Sequence, residues 1–287
     1  MPYTAIGDCQ SSLRISNQNN VFDRGNVRVI LQNCPSDNKL LVERFLHTMS
    51  VIVEAEDREN VISKLSEVIK NAAYESIALN GIFNVGVSGG SLVSFLAAGL
   101  PKIKTDFTKW RIFFCDERVV PEDDPDSTFG AYKNQLVDNK NINLREDQFV
   151  TIKQGVSADD AAKAYSDEIA KYLPGNPLPQ FDMLLLGMGP DGHTCSLFPG
   201  HKLLNETERW VAPITDSPKP PPSRITLTFP VINNAKACVF AISGKDKADM
   251  IKRILLDKED LPAARVQPAS GRLYWILDKE AGVHLPK

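Results

Sequence analysis

Several features that would assign the 287-residue sequence to a special class of protein are absent. No apolar run approaches the roughly 18 residues of a membrane-spanning helix, and the N-terminus lacks the basic-then-apolar order of a signal peptide. Five scattered cysteines without a Cys-x-x-Cys pair, and only four histidines, indicate neither a disulfide framework nor a zinc site. A net charge of -3 argues against non-specific nucleic-acid binding. We therefore expect a cytosolic protein with no metal, no membrane association and no nucleic-acid partner.

Strand and helix patterns alternate from residue 50 onwards. Helices are predicted at 57–79, 92–100, 128–137 and 245–256, and one more between Ser157 and Pro174. Strands are predicted at 50–54, 82–87, 110–115, 149–152, 181–186, 225–229, 237–243 and 273–277. This alternation predicts an α/β fold with a mostly parallel sheet and helices on both faces.

Residues 1–48 differ from the rest of the chain. They are polar and show no sustained periodicity, although Val27 to Leu31 could form a short strand. Such a composition buries little apolar surface, so we expect a disordered extension here, with Met49 as an alternative start. No linker divides the remainder, which predicts a single domain over residues 49–287.

A short apolar run from Phe181 to Leu186 ends abruptly at a glycine- and proline-rich loop that carries Asp191 and His193. Ligands of open α/β sheets bind beyond the carboxyl ends of the strands. His193 is thus a candidate general base that Asp191 could orient, since imidazole exchanges protons near neutral pH. A loop histidine that only caps a turn, and Cys195 as a nucleophile, are weaker alternatives.

The segment Ser88-Gly-Gly-Ser91 follows a predicted strand and opens a helix. Glycines at such a turn let the backbone approach a ligand, and free N–H groups at the helix start attract anions such as phosphate. A purely structural strand-to-helix turn is the alternative interpretation. The segment is neither a P-loop nor a Gly-x-Gly-x-x-Gly motif, so an ATP or NAD site is not indicated.

Charged residues stand at three further junctions. Arg118, directly after the strand at 110–115, could hold a phosphate group or an oxyanion, and Asp116 could orient a base or a ligand hydroxyl group. A rigid proline-rich loop could present Lys219 and Arg224, and Lys247 could bind an anion at a strand-to-helix junction. The alternatives are a solvated charged turn at Asp116, a short partner-binding proline motif, and a solvated lysine at 247.

In this order, the segments Ser88–Ser91, Cys115–Arg118, Gly187–Pro199, Ser217–Arg224 and Leu261–Ala264 resemble the 6-phosphogluconolactonase family, in its animal form. The resemblance implies hydrolysis of 6-phospho-D-glucono-1,5-lactone in the oxidative pentose phosphate pathway. It also implies a Rossmann-like fold related to glucosamine-6-phosphate deaminase, and no cofactor. By the same resemblance His193 matches the general base, and the matching substrate- and phosphate-binding residues are Gly89, Gly90, Ser91, Arg118, Lys219, Arg224 and, by analogy with the deaminases, Lys247.

Two other functions stay open at this stage. A sugar-phosphate isomerase or deaminase of the same fold would need a further acid–base set, and Thr194 to Pro199, which follows His193, contains no carboxylate. A non-catalytic paralogue that acts as a binding factor is the second alternative, although His193 and the basic residues are retained. Whether Asp116 or Asp191 supports His193 is left open, and we expect a monomer or a weak homo-oligomer.

Overall fold

The computed structural model describes residues 14–16, 21–24, 27–30, 50–175, 177–269 and 271–286. These residues contain thirteen strands, which are in chain order β1 (Arg14–Ser16), β2 (Val21–Arg24), β3 (Val27–Ile30), β4 (Ser50–Ala55), β5 (Phe83–Val87), β6 (Trp110–Phe114), β7 (Asp116–Arg118), β8 (Phe149–Val150), β9 (Met183–Leu186), β10 (Val211–Ile214), β11 (Arg224–Leu227), β12 (Ala237–Ile242) and β13 (Arg272–Asp278).

The α-helices of the same residues are α1 (Arg58–Asn80), α2 (Ser91–Gly99), α3 (Thr128–Tyr132), α4 (Ala158–Tyr172), α5 (Phe229–Ile232) and α6 (Ala248–Leu255). A π-helical turn, Lys133–Val137, continues α3. Short 3-10 helices lie at Leu100–Lys102, Phe107–Lys109, Glu146–Gln148, Lys202–Asn205, Lys245–Lys247 and Pro262–Arg265. None of the helices described is both long and apolar enough to cross a membrane.

The main sheet confirms the predicted α/β architecture. Its parallel part has the strand order β4-β13-β12-β9-β5-β6-β8. Every residue of β5, β9 and β12 is buried, which requires cover on both faces because successive side chains point to opposite sides. The helix α1 packs against β4, β5, β12 and β13.

The N-terminal strands extend the same sheet. The predicted strand near 27–31 is confirmed as β3, which pairs antiparallel with β4, and β2 and β1 follow it outwards. The other residues of 1–49 lie outside the described ranges. The prediction of a disordered extension ahead of a domain at 49–287 therefore stays a prediction.

A second, antiparallel sheet with the order β10-β11-β7 was not predicted. The strand expected at 225–229 lies in this sheet as β11 instead of the parallel one, and β10 was missed. The segment at Asp116 is a strand with two buried acidic residues, so the alternative of a solvated charged turn is wrong. Its pairing with β11 supplies backbone partners that the local sequence does not reveal.

The helix α1 agrees with the predicted range of 57–79 to within one residue at each end. Asp57 is its N-cap, and Gly81 ends it in the left-handed conformation. Val61, Ile62, Leu65 and Ile69 are buried on the face that contacts the sheet and α2, whereas Val68 and Ala72 are only partly buried.

The helix α4 lies within the predicted range between Ser157 and Pro174, and the N-cap Ser157 accepts a hydrogen bond from the backbone N–H of Asp160. Tyr165 and Ile169 are buried, and the Tyr165 hydroxyl group accepts a hydrogen bond from Phe114 N at 2.6 Å. Tyr172, the last residue of the helix, is 40% exposed. Its ring instead lies under the guanidinium group of Arg111, 4.0 Å from ring centroid to Cζ.

Candidate active site

A cleft of about 480 Å³ lies where the carboxyl ends of three parallel strands meet. Ser88 follows β5, Gly187 follows β9 and Ser243 follows β12, and all three line it. The cleft brings together most of the residues predicted for the site, which are Gly89, Gly90, Ser91, Asp116, Arg118, His193, Arg224 and Lys247. The two others, Asp191 and Lys219, contact His193 directly.

The loop after β9 holds His193 through its glycines. Gly192 has φ +79°, a conformation that favours glycine, and Gly189 N donates a hydrogen bond to His193 O at 2.9 Å. A Cβ atom at Gly189 would lie 2.0 Å from Cε1 and Nδ1 of the His193 ring. The imidazole thus packs directly on the Gly189 backbone, a requirement that the local sequence does not reveal.

His193 and Asp191 form a hydrogen-bonded pair. His193 Nδ1 lies 2.5 Å from Asp191 Oδ1, so Asp191 is the carboxylate that contacts the histidine. Asp116 is instead engaged by the hydroxyl group of Ser196, which donates to its Oδ2 at 2.8 Å. The question that the sequence left open is thereby decided by contact.

The surroundings of His193 favour its neutral form. Burial lowers the pKa of His193, and this effect outweighs the hydrogen bond and the charge of Asp191, which act in the opposite direction. Burial raises the pKa of Asp191, but the hydrogen bond and charge of His193, together with Lys219, bring it below its usual value. A neutral imidazole that donates its Nδ1 proton to Asp191 keeps the Nε2 lone pair for accepting a proton.

The loop at 217–224 contacts the Asp191–His193 pair through Lys219. Lys219 Nζ lies 3.3 Å from Asp191 Oδ1 and 3.2 Å from His193 Nδ1. The buried Arg224 donates to the carbonyl groups of Lys219, Pro220 and Pro221. Most of the donors of Arg224 are therefore used within the loop, and the prediction that Lys219 and Arg224 contact substrate phosphate stays a prediction.

The strand β7 places Asp116 and Arg118 at the cleft, whereas Glu117 between them does not line it. Glu117 is 2% exposed and accepts hydrogen bonds from the backbone N–H groups of Arg118, Thr128 and Phe129, each at 2.8 Å. Burial raises the pKa of Glu117, whereas these three hydrogen bonds lower it. Arg118 is partly exposed, lines the cleft and donates to Asp126 O at 2.6 Å.

The turn at 88–91 has the geometry of an anion site. Gly90 is the N-cap of α2 with φ +73°, and no side chain caps the helix. The N–H groups of the first turn of a helix have no partner within the helix and carry its partial positive charge. At Gly89 a Cβ atom would lie 3.4 Å from the side chain of Thr128, which is an ordinary van der Waals distance.

Arg58 is a cleft residue that the sequence analysis missed. It is the first residue of α1, donates to Ser94 Oγ at 3.1 Å and lies over the ring of Phe95, 5.0 Å from Cζ to ring centroid. No local pattern singles it out, since only the packing of α1 on α2 brings it to the turn at 88–91. Lys247, which is far from Arg58 in the sequence, also lines the cleft, and its Nζ atom lies 3.6 Å from Asp246 Oδ2.

Cys195 is buried and lies beside Cys115. A hydrogen bond with Cys115 and burial hold the pKa of the Cys195 thiol well above its usual value. A thiolate is the nucleophilic form, so the geometry disfavours Cys195 as a nucleophile. Across the described part of the chain, no three side chains of His, Cys, Asp or Glu come together as a possible metal site.

The fold and this site define a class, namely α/β proteins with a histidine–carboxylate pair at a cleft that a helix N-terminus and basic side chains line at the strand ends. A model of the family described as Glucosamine-6-phosphate isomerases/6-phosphogluconolactonase matches residues 56–275, and the chain belongs to this family.

The relatives and solved structures agree with this membership. The chain is 46% identical to 6-phosphogluconolactonase of Rattus norvegicus over 76% of its own length and 87% of the relative's length. It is 48% identical to the Homo sapiens 6-phosphogluconolactonase over 69% and 79% of the two lengths. The solved 6-phosphogluconolactonase from Trypanosoma cruzi matches with a TM-score of 0.71 and 28% identity, over 82% of this chain and 97% of that one.

Proposed function

We propose that this chain hydrolyses 6-phospho-D-glucono-1,5-lactone to 6-phospho-D-gluconate, a step of the oxidative pentose phosphate pathway, with His193 as the general base. The observation that carries the proposal is the Asp191–His193 pair, whose ring faces the same cleft as the glycine turn at 89–90. The names of the relatives in the same family support the choice of substrate.

The phosphate group would bind at the turn at 88–91. There the N-terminus of α2 offers backbone N–H groups, and Arg58 and Lys247 line the same cleft with positive charge. Binding energy from this group, which is remote from the reacting carbon, would orient the lactone. The cleft of about 480 Å³ has room for one phosphosugar.

The reaction would begin with a water molecule held by Nε2 of His193. The histidine takes one proton as the water oxygen bonds to C1, and the carbonyl electrons move onto the carbonyl oxygen. Arg118, which lines the cleft, would stabilise this oxyanion. As the tetrahedral intermediate collapses, the bond from C1 to the ring oxygen breaks, and the protonated His193 returns a proton to that oxygen.

This chemistry needs no covalent intermediate, because a δ-lactone is already a reactive ester. The buried, protonated state of Cys195 fits that requirement. Asp191 would stabilise the imidazolium that forms during the step, as the carboxylate of a Ser-His-Asp triad does.

The alternative isomerase or deaminase reaction gains no support from the residues after His193. Thr194, Cys195 and Ser196 are buried, and none of them carries a carboxylate. The acidic residues that do line the cleft are Asp116, which Ser196 engages, and Asp246, which lies beside Lys247.

The proposal is tested with His193→Gln, which keeps the size of the side chain but removes the base. We expect kcat/KM for the fresh lactone, followed as acid release, to fall by roughly 10²–10⁴-fold. His284→Gln is the matched control, since His284 is exposed and pairs with Asp249.

Three outcomes would contradict the proposal. Full activity of His193→Gln would remove the base assignment. Wild-type protein that is inactive on the lactone but releases ammonia from glucosamine 6-phosphate would be a deaminase. Activity on neither substrate would favour a non-catalytic binding factor.

We also propose that the enzyme is cytosolic and is a monomer or a weak homo-oligomer. The three described cysteines, Cys115, Cys195 and Cys238, are free thiols, which fits a reducing compartment. Cell fractionation and analytical ultracentrifugation would test the two statements. Recovery in an oxidising compartment, or a stable oligomer at nanomolar concentration, would contradict them.

A further inference from the structure

The ammonium group of Lys219 lies beside His193, the proposed general base. Lys219 Nζ is 3.3 Å from Asp191 Oδ1 and 3.2 Å from His193 Nδ1, and these latter two atoms are 2.5 Å apart. The same carboxylate oxygen of Asp191 therefore contacts both the imidazole and the ammonium group. Lys219 is not among the residues that line the cleft.

The backbone that carries Lys219 is held at several points. Ser217 Oγ donates to Lys219 O at 2.8 Å and accepts from Lys219 N at 3.2 Å. Arg224 is 4% exposed, and its guanidinium group donates to the carbonyl groups of Lys219, Pro220 and Pro221 at 2.8 to 3.1 Å. A lysine on so constrained a loop loses less conformational entropy when its ammonium group is ordered.

The direction of each hydrogen bond follows from the chemistry of the groups. An ammonium group has no lone pair, so Lys219 can only donate, and the carboxylate of Asp191 can only accept. With Asp191 accepting from Nδ1, that nitrogen carries the ring proton and Nε2 keeps its lone pair. A second proton on the ring would put two positive charges side by side, because Lys219 Nζ lies 3.2 Å away.

We propose that Lys219 is a positioning residue for His193, which fixes the shared carboxylate of Asp191 and keeps the imidazole neutral and able to accept a proton. The inference rests on the proposed role of His193 as general base. In this role Lys219 acts on His193 and does not bind the substrate's phosphate group. Arg58 and Lys247, which line the cleft, remain to bind that group.

Other charges also act on His193. Burial is the largest influence and lowers its pKa; Lys219 lowers it further, whereas Asp191 and Asp116 raise it. The remaining charged side chains that line the cleft with His193, from β7, β11, α1 and the 245–247 turn, are Arg118, Arg224, Arg58, Asp246 and Lys247. Removal of Lys219 thus leaves both carboxylates without the ammonium group that opposes them.

The test compares Lys219→Met, which removes the charge at similar size, with Lys219→Arg, which keeps it. Lys163→Met is the matched control, because Lys163 is an exposed lysine on α4 that pairs with Asp167. The four histidines are titrated by NMR in each free protein, and His193→Gln assigns the His193 signal. Thermal unfolding of each variant confirms that it is folded.

We expect the His193 titration midpoint to move to higher pH in Lys219→Met and to stay close to wild type in the two other variants. In the same protein kcat/KM for the lactone should fall by roughly three- to tenfold at about pH 6, and by less than about twofold at about pH 8.5. The loss should be the same for glucono-1,5-lactone, which lacks the phosphate group.

An unchanged midpoint in Lys219→Met would overturn the inference. So would a rise in KM confined to the phosphorylated lactone, which would make Lys219 a phosphate ligand. The NMR titration needs no substrate, and so separates this inference from the proposed function. A shifted midpoint in a protein that hydrolyses neither lactone would refute the lactonase assignment alone.

Discussion

Gly189 is the position at which one added methyl group would act directly on the proposed general base. In Gly189→Ala the new Cβ atom would lie 2.0 Å from Nδ1 and Cε1 of His193 and 2.8 Å from Asp191 Oδ1. Non-bonded carbon atoms normally lie about 3.5–4.0 Å apart, so the ring would have to move by roughly 1.5 Å.

The ring has little freedom to make that movement. The ring packs on the ring of Phe198 at a centroid distance of 4.7 Å, and the backbone carbonyl group of His193 accepts a hydrogen bond from Gly189 N. A misplacement of about 1 Å at a reacting group can cost about 10²-fold in rate. We therefore expect kcat of Gly189→Ala to fall about 100-fold, with KM changed by less than about threefold because the turn at 88–91 is untouched.

Steady-state kinetics on the fresh lactone, with thermal unfolding in parallel, measure the effect. Gly155→Ala is the control: Gly155 has φ +70° and no neighbour within 4 Å of an added Cβ atom, so the substitution should cost about 1–2 kcal/mol of stability without reaching the cleft. If Gly189→Ala kept kcat within about threefold of wild type, the proposed link between the Gly189 backbone and His193 would be refuted.

Two further substitutions test the proposed phosphate site at the turn at 88–91 and the buried glutamate of β7. Arg58→Met should raise KM for the phosphorylated lactone by roughly 10–100-fold, because one charge-assisted contact with the phosphate group is lost. KM for glucono-1,5-lactone should stay unchanged, and equal effects on both lactones would contradict a phosphate role for Arg58. Glu117→Gln should lower the free energy of unfolding by about 1–3 kcal/mol in urea titrations, since an amide group cannot accept from all three N–H groups of Arg118, Thr128 and Phe129. An unchanged free energy of unfolding would contradict this role of Glu117.

The central part of the fold was predictable because its signals are local. Mostly apolar runs marked β5, β6, β9 and β12, and the complete burial of β5, β9 and β12 explains why no regular apolar–polar alternation appears within those three. The second sheet was not predictable in the same way. Its strands β7, β10 and β11 are three or four residues long, and pairing between distant segments is what makes them strands.

The candidate site divides along the same line. Residues that follow strand ends, such as Gly90 and His193, could be named from the sequence because parallel strands bring their carboxyl ends to one edge of the sheet. Arg58 could not, since it begins a helix and reaches the cleft only through the packing of α1 on α2.

By itself, therefore, the sequence determined which chemical groups the chain carries and at which strand ends they stand, because glycine, proline and apolar periodicity act over a few residues. Only the tertiary structure decided that Asp191, not Asp116, contacts His193, and that Lys219 lies beside both. The contact between Asp191 and His193 depends on the conformation of one loop, whereas the contacts of Lys219 join segments separated along the chain and depend on how the loop at 217–224 is held against the loop after β9.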